Sequence, residues 1–490
     1  MHFDCPRLSN LAASPILPRM IHTLLLLLLT LATTFATRAQ NNAPPAPPVA
    51  NTNATWRVGV ASVVVTPAQP MWMAGYASRT NVSQGKAQEL FAKALALDDG
   101  AGGRLVIVTM DLIGVPRSLR KNLEARLLAA HQLRPENFLL NASHTHCGPE
   151  FRVGRTPADD GEFGPTLPSA SYGAGLEEKV FHVIGAALTN AAPARVGYSH
   201  ARCGVAMNRR LPSGTNYQNS PYPDGPVDHS VPVLRVEGAD GKLRAVLFGY
   251  ACHNTTLAFY QFCGDYAGFA QQFFEADHPG VTALFLAGCG GDQNPYPRGT
   301  LDLAQRHGRS LATAVEAALL PKPRVLAGPL RAAFAEIELP YAAAPGREEF
   351  ERRLLSKDKY EVQHATRMLA VLKQGGNLPE KYPYPVQVVR FGGELTLVAL
   401  GGETVVDYSL RLKRELSGPA GAVGAAVWVS GYSNDVMAYI PSERVLREGG
   451  YEGGGAMRFS TTHPGPWAAG VEERIVAKVR ELERGLRRDP

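Results

Sequence analysis

The chain carries little charge for its size: 19% of its 490 residues are Asp, Glu, Lys or Arg, against about 25% in typical soluble domains. No run of five like charges occurs, so there is no acidic or basic tail. The net charge of +6 is spread too thinly for nucleic-acid binding by phosphate neutralisation. Internal repeats are absent, and the composition excludes a coiled coil. Six cysteines are present, with no Cys-x-x-Cys pair, which argues against a cysteine-built zinc site. The longest apolar stretch, residues 21–36, is too short for a comfortable membrane span.

That stretch, IHTLLLLLLTLATTFA, follows Arg7 and Arg19 and precedes Thr37-Arg38-Ala39, a small-residue cleavage pattern. It reads as a secretory signal peptide over residues 1–39, which predicts a secreted or periplasmic protein; an uncleaved N-terminal anchor is the alternative. Residues 40–54, rich in Pro, Ala and Asn, read as an extended linker. Loss of Arg7, Arg19, Arg38 and Asp4 leaves a mature charge of about +4. Five cysteines then remain (Cys147, Cys203, Cys252, Cys263 and Cys289), and their number and spacing do not form a disulfide framework.

From residue 55 to 490 one large domain is expected. Apolar runs predict buried strands at Leu105–Leu112, Asn137–Ala142, Ala245–Tyr250, Val281–Ala287 and Leu395–Leu400. Helical patterns lie at Ser118–Leu133, Gly175–Asn190, Ala267–Glu275, Asp302–Leu319, Arg347–Leu372 and Ala468–Leu482. The alternation predicts an α/β fold: a single large domain with a mixed sheet flanked by helices, its active site at the C-terminal ends of strands. Gly-centred hairpins at Val233–Tyr250 and Val386–Leu400 supply the antiparallel pairs. Residues 211–226 read as a long polar loop, and the pocket walls are expected in loops such as 150–175 and 211–228.

The chemistry-bearing residues stand at strand ends. His144 and His146 follow the run NFLLNA, and His253 follows AVLFGYAC. Asp292 and Glu403 each follow a strand and a Gly-Gly pair. Two or three histidines with a glutamate suit a catalytic zinc that keeps one position open. The same residues have plainer readings: a packed strand-end histidine, a carboxylate at a helix start, a turn-capping aspartate. Cys147 and Cys252, beside His146 and His253, read as small packing residues.

Four blocks together resemble the neutral/alkaline ceramidase family in its N-terminal catalytic domain: SHTHCGP (143–149), the stretch from His253 through Gly264-Asp265 to Ala270, GGET (401–404), and AYIPSERVLREGGYEG (438–453). The resemblance implies one Zn2+ per chain held by His144, His253, Glu403 and Tyr439, with His146 beside it as an acid/base or polarising group. It also implies that Tyr451 and Arg209, the latter in MNRRLP, bind the amide to be cleaved, and that Asp292 and Asn294 sit in the catalytic segment GDQNP. Two departures stand out. The family's GDVSP serine is Asn294 here, and Asn cannot act as a nucleophile, which favours attack by zinc-activated water. Full-length members also carry a C-terminal β-sandwich domain, which is not expected within this chain.

The resemblance implies a secreted zinc-dependent amidohydrolase that cleaves the N-acyl bond of a ceramide-like lipid or another amphiphile. The substrate is a small molecule or lipid, met at a membrane surface; no nucleic acid and no obligate protein partner is implied. Two alternatives stay open: a zinc-dependent esterase or amidase on a non-sphingolipid acyl substrate, and a non-catalytic secreted ligand-binding relative.

Overall fold

Strand Arg104–Met110 shows how the layers arise. Its side chains alternate, with Leu105 and Ile107 entering one buried cluster while Val106 and Val108 enter another. The neighbouring strand Phe91–Asp98 repeats the pattern, sending Leu95 and Leu97 one way and Ala92, Ala94 and Ala96 the other. Period-two alternation with both faces apolar means that both faces of the sheet are covered. The computed structural model describes residues 56–151, 153, 167–417, 424–460 and 462–488; the expected signal peptide (1–39) and linker (40–54) lie outside the described residues.

Among the described residues, nine strands form the larger sheet. Its spatial order is Thr282–Ala287, Leu243–Tyr250, Ser230–Gly238, Ala192–Arg202, Trp56–Val64, Phe91–Asp98, Arg104–Met110 and Phe138–Ala142, with Arg324–Val325 added beside Ala192–Arg202. The two outermost pairs are parallel and the inner pairs antiparallel, so the sheet is mixed. A second, four-stranded sheet is built from Leu330–Pro340, Lys381–Phe391, Leu395–Leu400 and Ala426–Ser430. Its Leu395, Leu397, Ala399 and Trp428 share a core with Leu105, Ile107 and Leu284 of the larger sheet, so the two sheets stack face to face.

Helices cover the outer faces. Leu119, Leu123 and Leu127, one turn apart on helix Arg117–His131, pack on the larger sheet together with helix Leu167–Thr189. Helices Asp265–Asp277 and Leu301–Leu319 cover the rest of that face. The latter is started by Thr300, whose hydroxyl accepts a hydrogen bond from the Leu303 amide at 3.3 Å. Helices Val406–Leu416 and Val471–Arg488 cover the smaller sheet. The expected α/β class with a mixed sheet and flanking helices is the architecture found, arranged as two sheets between two helical layers.

Three local expectations differ from the structure. The hairpin at 381–400 belongs to the second sheet, because its alternate side chains complete the shared core. The single helix expected over 347–372 is split into Arg347–Arg353 and Lys359–Lys373. Asp358 restarts the chain as a cap, its carboxylate accepting from the Tyr360 amide at 2.9 Å. Residues 211–226 are largely a hairpin of strands Ala206–Ser213 and Asn216–Tyr222. The sequence SGTNYQNS lacks the apolar alternation that announces a half-buried strand, and Gly214 supplies the left-handed turn residue, with φ of 60°. The five cysteines among the described residues are buried free thiols. No helix among the described residues is long and apolar enough to cross a membrane.

Candidate metal centre

Strand Phe138–Ala142 is buried along its whole length and ends against Leu112, whose carbonyl accepts the His144 amide at 3.0 Å. His144 then adopts a left-handed backbone, φ 61°, which is uncommon for a residue with a Cβ and tends to gather at functional sites. Two residues on, the His146 amide donates to Asn254 O at 3.2 Å, joining this loop to the segment that carries His253. The His253 amide in turn donates to Gln293 O at 2.9 Å. Glu403 stands in the short strand Glu403–Thr404, ahead of helix Val406–Leu416 rather than in it, and pairs in parallel with Tyr439–Ile440. Gly402 makes that pairing possible: a Cβ there would lie 2.5 Å from an Ile440 side-chain carbon and 2.7 Å from Ala438 O.

These four segments converge. Oε2 of Glu403 lies 3.1 Å from Nε2 of His144 and 3.1 Å from Nε2 of His253. The Tyr439 hydroxyl lies 3.2 Å from Nε2 of His253, and Nε2 of His146 lies 3.2 Å from Nε2 of His144. One ring nitrogen from each of His144, His146 and His253 falls within 4.8 Å of the other two. Tautomers follow from the far sides of the rings. Nδ1 of His144 meets the Ile113 carbonyl and Nδ1 of His253 the Gly290 carbonyl, each at 2.6 Å. A carbonyl can only accept, so both Nδ1 atoms carry a proton and both rings turn Nε2 toward Glu403.

Burial favours neutral imidazoles. It pushes the His253 pKa down to about 4, with the Arg209 charge adding to the effect. Burial likewise holds His146 well below the usual range, helped by His144 and His253. For Glu403 burial opposes ionisation, but the imidazoles of His144 and His253 outweigh it and keep the carboxyl well below the usual range. The centre therefore brings Nε2 of His144, Nε2 of His253 and the Glu403 carboxylate to one point. Neutral rings and an ionised carboxylate would all be acceptors there, a set that needs a cation between its members. Tetrahedral ligands at about 2.0–2.1 Å from zinc stand about 3.3–3.4 Å apart, close to the separations found here. The donor set fits a metal ion.

The remaining site residues sort around this point. Buried Arg209 is fixed at three nitrogens: Nε donates to Glu452 at 2.8 Å, Nη1 to Asn294 Oδ1 at 3.1 Å and Nη2 to the Tyr439 hydroxyl at 3.0 Å. Asn294 also accepts from Thr255 at 3.2 Å and donates to Asn219 at 3.3 Å. The Tyr451 ring lies 5.3 Å from that of Tyr439, and burial, then Glu403, lifts its phenol to about 12. Asp292 does not reach the centre. Its carboxylate accepts from the Val406 amide at 2.8 Å and from Asn208 at 3.1 Å, holding the start of the helix behind Glu403. Burial, then Asp407, raises its pKa to about 7.

A cavity of about 660 Å³ opens onto Glu403, Tyr439 and Tyr451. Apolar Met73, Met437, Met457, Phe459 and Trp467 line it together with charged Arg367 and Arg458. Its walls come largely from residues 73–78, 360–367, 437–439, 451–460 and 463–467. Of the two loops expected to form it, 211–228 contributes none of the lining and 150–175 only Glu150; residues 152 and 154–166 lie outside the described residues. Two contributors were not anticipated from the sequence. Tyr76 packs its ring 4.7 Å from that of His146. Glu452 bridges Arg209 and Arg210, and the adjacent pair Arg209-Arg210 was its available signal, since two buried guanidinium groups require a counter-charge.

Residues 56–299 match the family model for neutral/alkaline non-lysosomal ceramidase, N-terminal. The neutral ceramidase of Mycobacterium tuberculosis is 25% identical over 491 aligned residues, spanning 84% of this chain and 74% of that protein. The neutral ceramidase of Pseudomonas aeruginosa is 24% identical over 500, spanning 86% and 71%. The crystal structure of the Pseudomonas aeruginosa neutral ceramidase superposes with a TM-score of 0.70 at 21% identity, over 88% of this chain and 74% of that one. A ceramidase complexed with C2 gives the same TM-score, 0.70, at 20% identity. At these identities the structural likeness speaks for the fold.

Proposed function

The chain belongs to the neutral/alkaline non-lysosomal ceramidase family, and from that premise we propose that it is a zinc-dependent amidohydrolase cleaving the N-acyl bond of a ceramide-like amphiphile. The observation that carries the reading is the meeting of His144 Nε2, His253 Nε2 and Glu403 Oε2 within 3.1 Å contacts, beside the Tyr439 hydroxyl and at the end of a cavity. These four residues are the proposed ligands, for one ion per chain. Bound zinc would polarise a carbonyl and lower the pKa of its water toward about 7.

The chain's own residues supply the rest. His146 is kept neutral by burial, and its Nε2 is turned to the centre, 3.2 Å from Nε2 of His144. It is therefore able to take a proton from the attacking water and return it to the leaving amine nitrogen. Tyr451 faces the cavity as a hydrogen-bond donor for the developing oxyanion, and Arg209 adds positive charge behind Tyr439. Asn294 accepts from Arg209 and offers no nucleophile, so the reaction runs by direct attack of water. Asp292 supports the backbone that presents Glu403.

The apolar stretch at residues 21–36 supports export, to the exterior or the periplasm. A lipid substrate met at a membrane surface agrees with the exposed pair Leu354 and Leu355 at the turn before the cavity-lining helix. A second reading, an esterase or amidase acting on a non-sphingolipid acyl group, is favoured by Asn294 and by Glu150, Gln363, Arg367 and Arg458 in the cavity wall. Turnover of a panel of N-acyl and O-acyl substrates, with and without chelator, tests both. Amide cleavage abolished by chelator supports the first reading, ester-only turnover supports the second, and turnover indifferent to chelator overturns both.

A further inference from the structure

We propose that Glu452 is a positioning residue: its carboxylate holds Arg209 so that one edge of the guanidinium is presented to the Tyr439 hydroxyl beside the metal centre. The inference rests on Tyr439 being a metal ligand, as proposed above. A guanidinium is planar and rigid, with five N–H donors in fixed directions. Fixing Nε on Glu452 Oε1 at 2.8 Å and Nη1 on Asn294 Oδ1 at 3.1 Å therefore decides where Nη2 points, and it points at Tyr439, 3.0 Å away. Asn294 is neutral and cannot offset the charge of an arginine this deeply buried. Glu452 is the carboxylate that ion-pairs with Arg209, and it is itself 3% exposed.

Glu452 is held as firmly as it holds. Its other oxygen, Oε2, accepts from Arg210 Nη1 at 2.8 Å, and Arg210 is anchored by Glu448 at 3.1 Å and by the Gly449 carbonyl at 3.0 Å. Both arginines act against burial to keep Glu452 ionised. The residue also follows Tyr451 directly, so the cavity-facing phenol and the support of Arg209 sit on consecutive positions of one turn. Replacement by glutamine breaks this arrangement without changing its shape: one amide oxygen remains to accept from one arginine, while the amide nitrogen faces the other donor to donor.

The test uses the full chain, carrying zinc for turnover and copper(II) in its place for spectroscopy. Glu452→Gln is expected to keep about one metal per chain and to lower kcat about 10- to 100-fold, as loss of groups that orient metal ligands does. KM should change far less than kcat. The phenolate-to-copper charge-transfer band of Tyr439 should move or weaken. Should Glu452→Gln fail to fold, Arg209→Lys keeps the charge but cannot span three partners, and the same change in the band is expected. A band and a kcat that both match the wild type in the folded variant overturn the inference. Absence of the band in the wild type would instead overturn Tyr439 as a ligand, and the kcat of Glu452→Gln would then decide the positioning role alone.

Discussion

Glu403 and Tyr439 stand directly opposite each other in a two-residue parallel pairing. Residues in register across paired strands project to the same side, so the carboxylate and the phenol arrive together at Nε2 of His253, 3.1 and 3.2 Å away. The pairing is tied down by the Gly402 amide on Asp435 O at 2.7 Å and the Glu403 amide on Ala438 O at 2.9 Å. Backbone hydrogen bonds therefore place half of the proposed ligand set before any ion is bound.

Removal of the metal should be felt in stability as well as activity. His144→Ala and Glu403→Ala are each expected to reduce metal from about one per chain to a trace and to abolish turnover, with circular dichroism unchanged. In the wild type, chelation should leave these side chains facing one another without the ion. At free zinc 100-fold above its dissociation constant the ion contributes about 2.7 kcal/mol. Denaturation with and without chelator should show a loss of that order in the wild type and almost none in Glu403→Ala.

His146 offers a sharper distinction. If it moves protons and does not hold the ion, His146→Ala should keep the metal and lose about 10²- to 10⁴-fold in kcat. Gly75→Ala should produce a milder version of the same defect. A Cβ at Gly75 would lie 2.5 Å from the His146 ring, and its φ of 95° disfavours any side chain. Loss of metal in His146→Ala, measured by elemental analysis, would make His146 a ligand.

The legible and illegible parts of this site differ in kind. The strands that deliver His144 and His253 are mostly apolar runs, broken only by Asn141 and Arg244, and strand ends in an α/β fold are where polar side chains emerge, so those two residues announce themselves. Glu403 is visible through the Gly-Gly pair before it. Tyr439, Arg209 and Tyr451 carry no such local signal; they lie in short pairings and turns fixed only by tertiary contacts, and their place came from motif resemblance. The second sheet escaped because Leu395–Leu400 reads the same in either sheet: its six buried residues record two covered faces without recording by what. Glu452 escaped because a carboxylate beside a tyrosine is unremarkable until its arginine partners are brought against it by the fold.

Trp428 tests the stacking of the two sheets. It is 2% exposed, on strand Ala426–Ser430, and packs against Gly249 of the larger sheet, where a Cβ would come within 2.8 Å of the indole. Trp428→Ala opens a cavity in the shared core and should cost about 3–5 kcal/mol. The denaturant midpoint should fall with the slope unchanged; an unchanged midpoint would show that the sheets do not depend on this contact.

Asp292 sets a pH dependence whose sign is fixed by its burial. The carboxyl titrates near 3.8 when unfolded and at about 7 in the fold, raised by burial and then by Asp407. The folded chain thus binds a proton that the unfolded chain has already released. This contribution is fully present below pH 3.8 and is lost as pH rises through about 7. The full span is of order 4 kcal/mol. Asp292→Asn cannot ionise, so the difference in unfolding free energy between wild type and variant should change by several kcal/mol between pH 4 and pH 8. Only that slope is diagnostic. The variant amide can still accept from Val406 but turns a donor toward Asn208, which lowers its stability by about 1–3 kcal/mol at every pH. Parallel profiles for the two proteins, by chemical denaturation across this range, would mean that Asp292 stays ionised in the fold and that the Val406 and Asn208 donors compensate its burial.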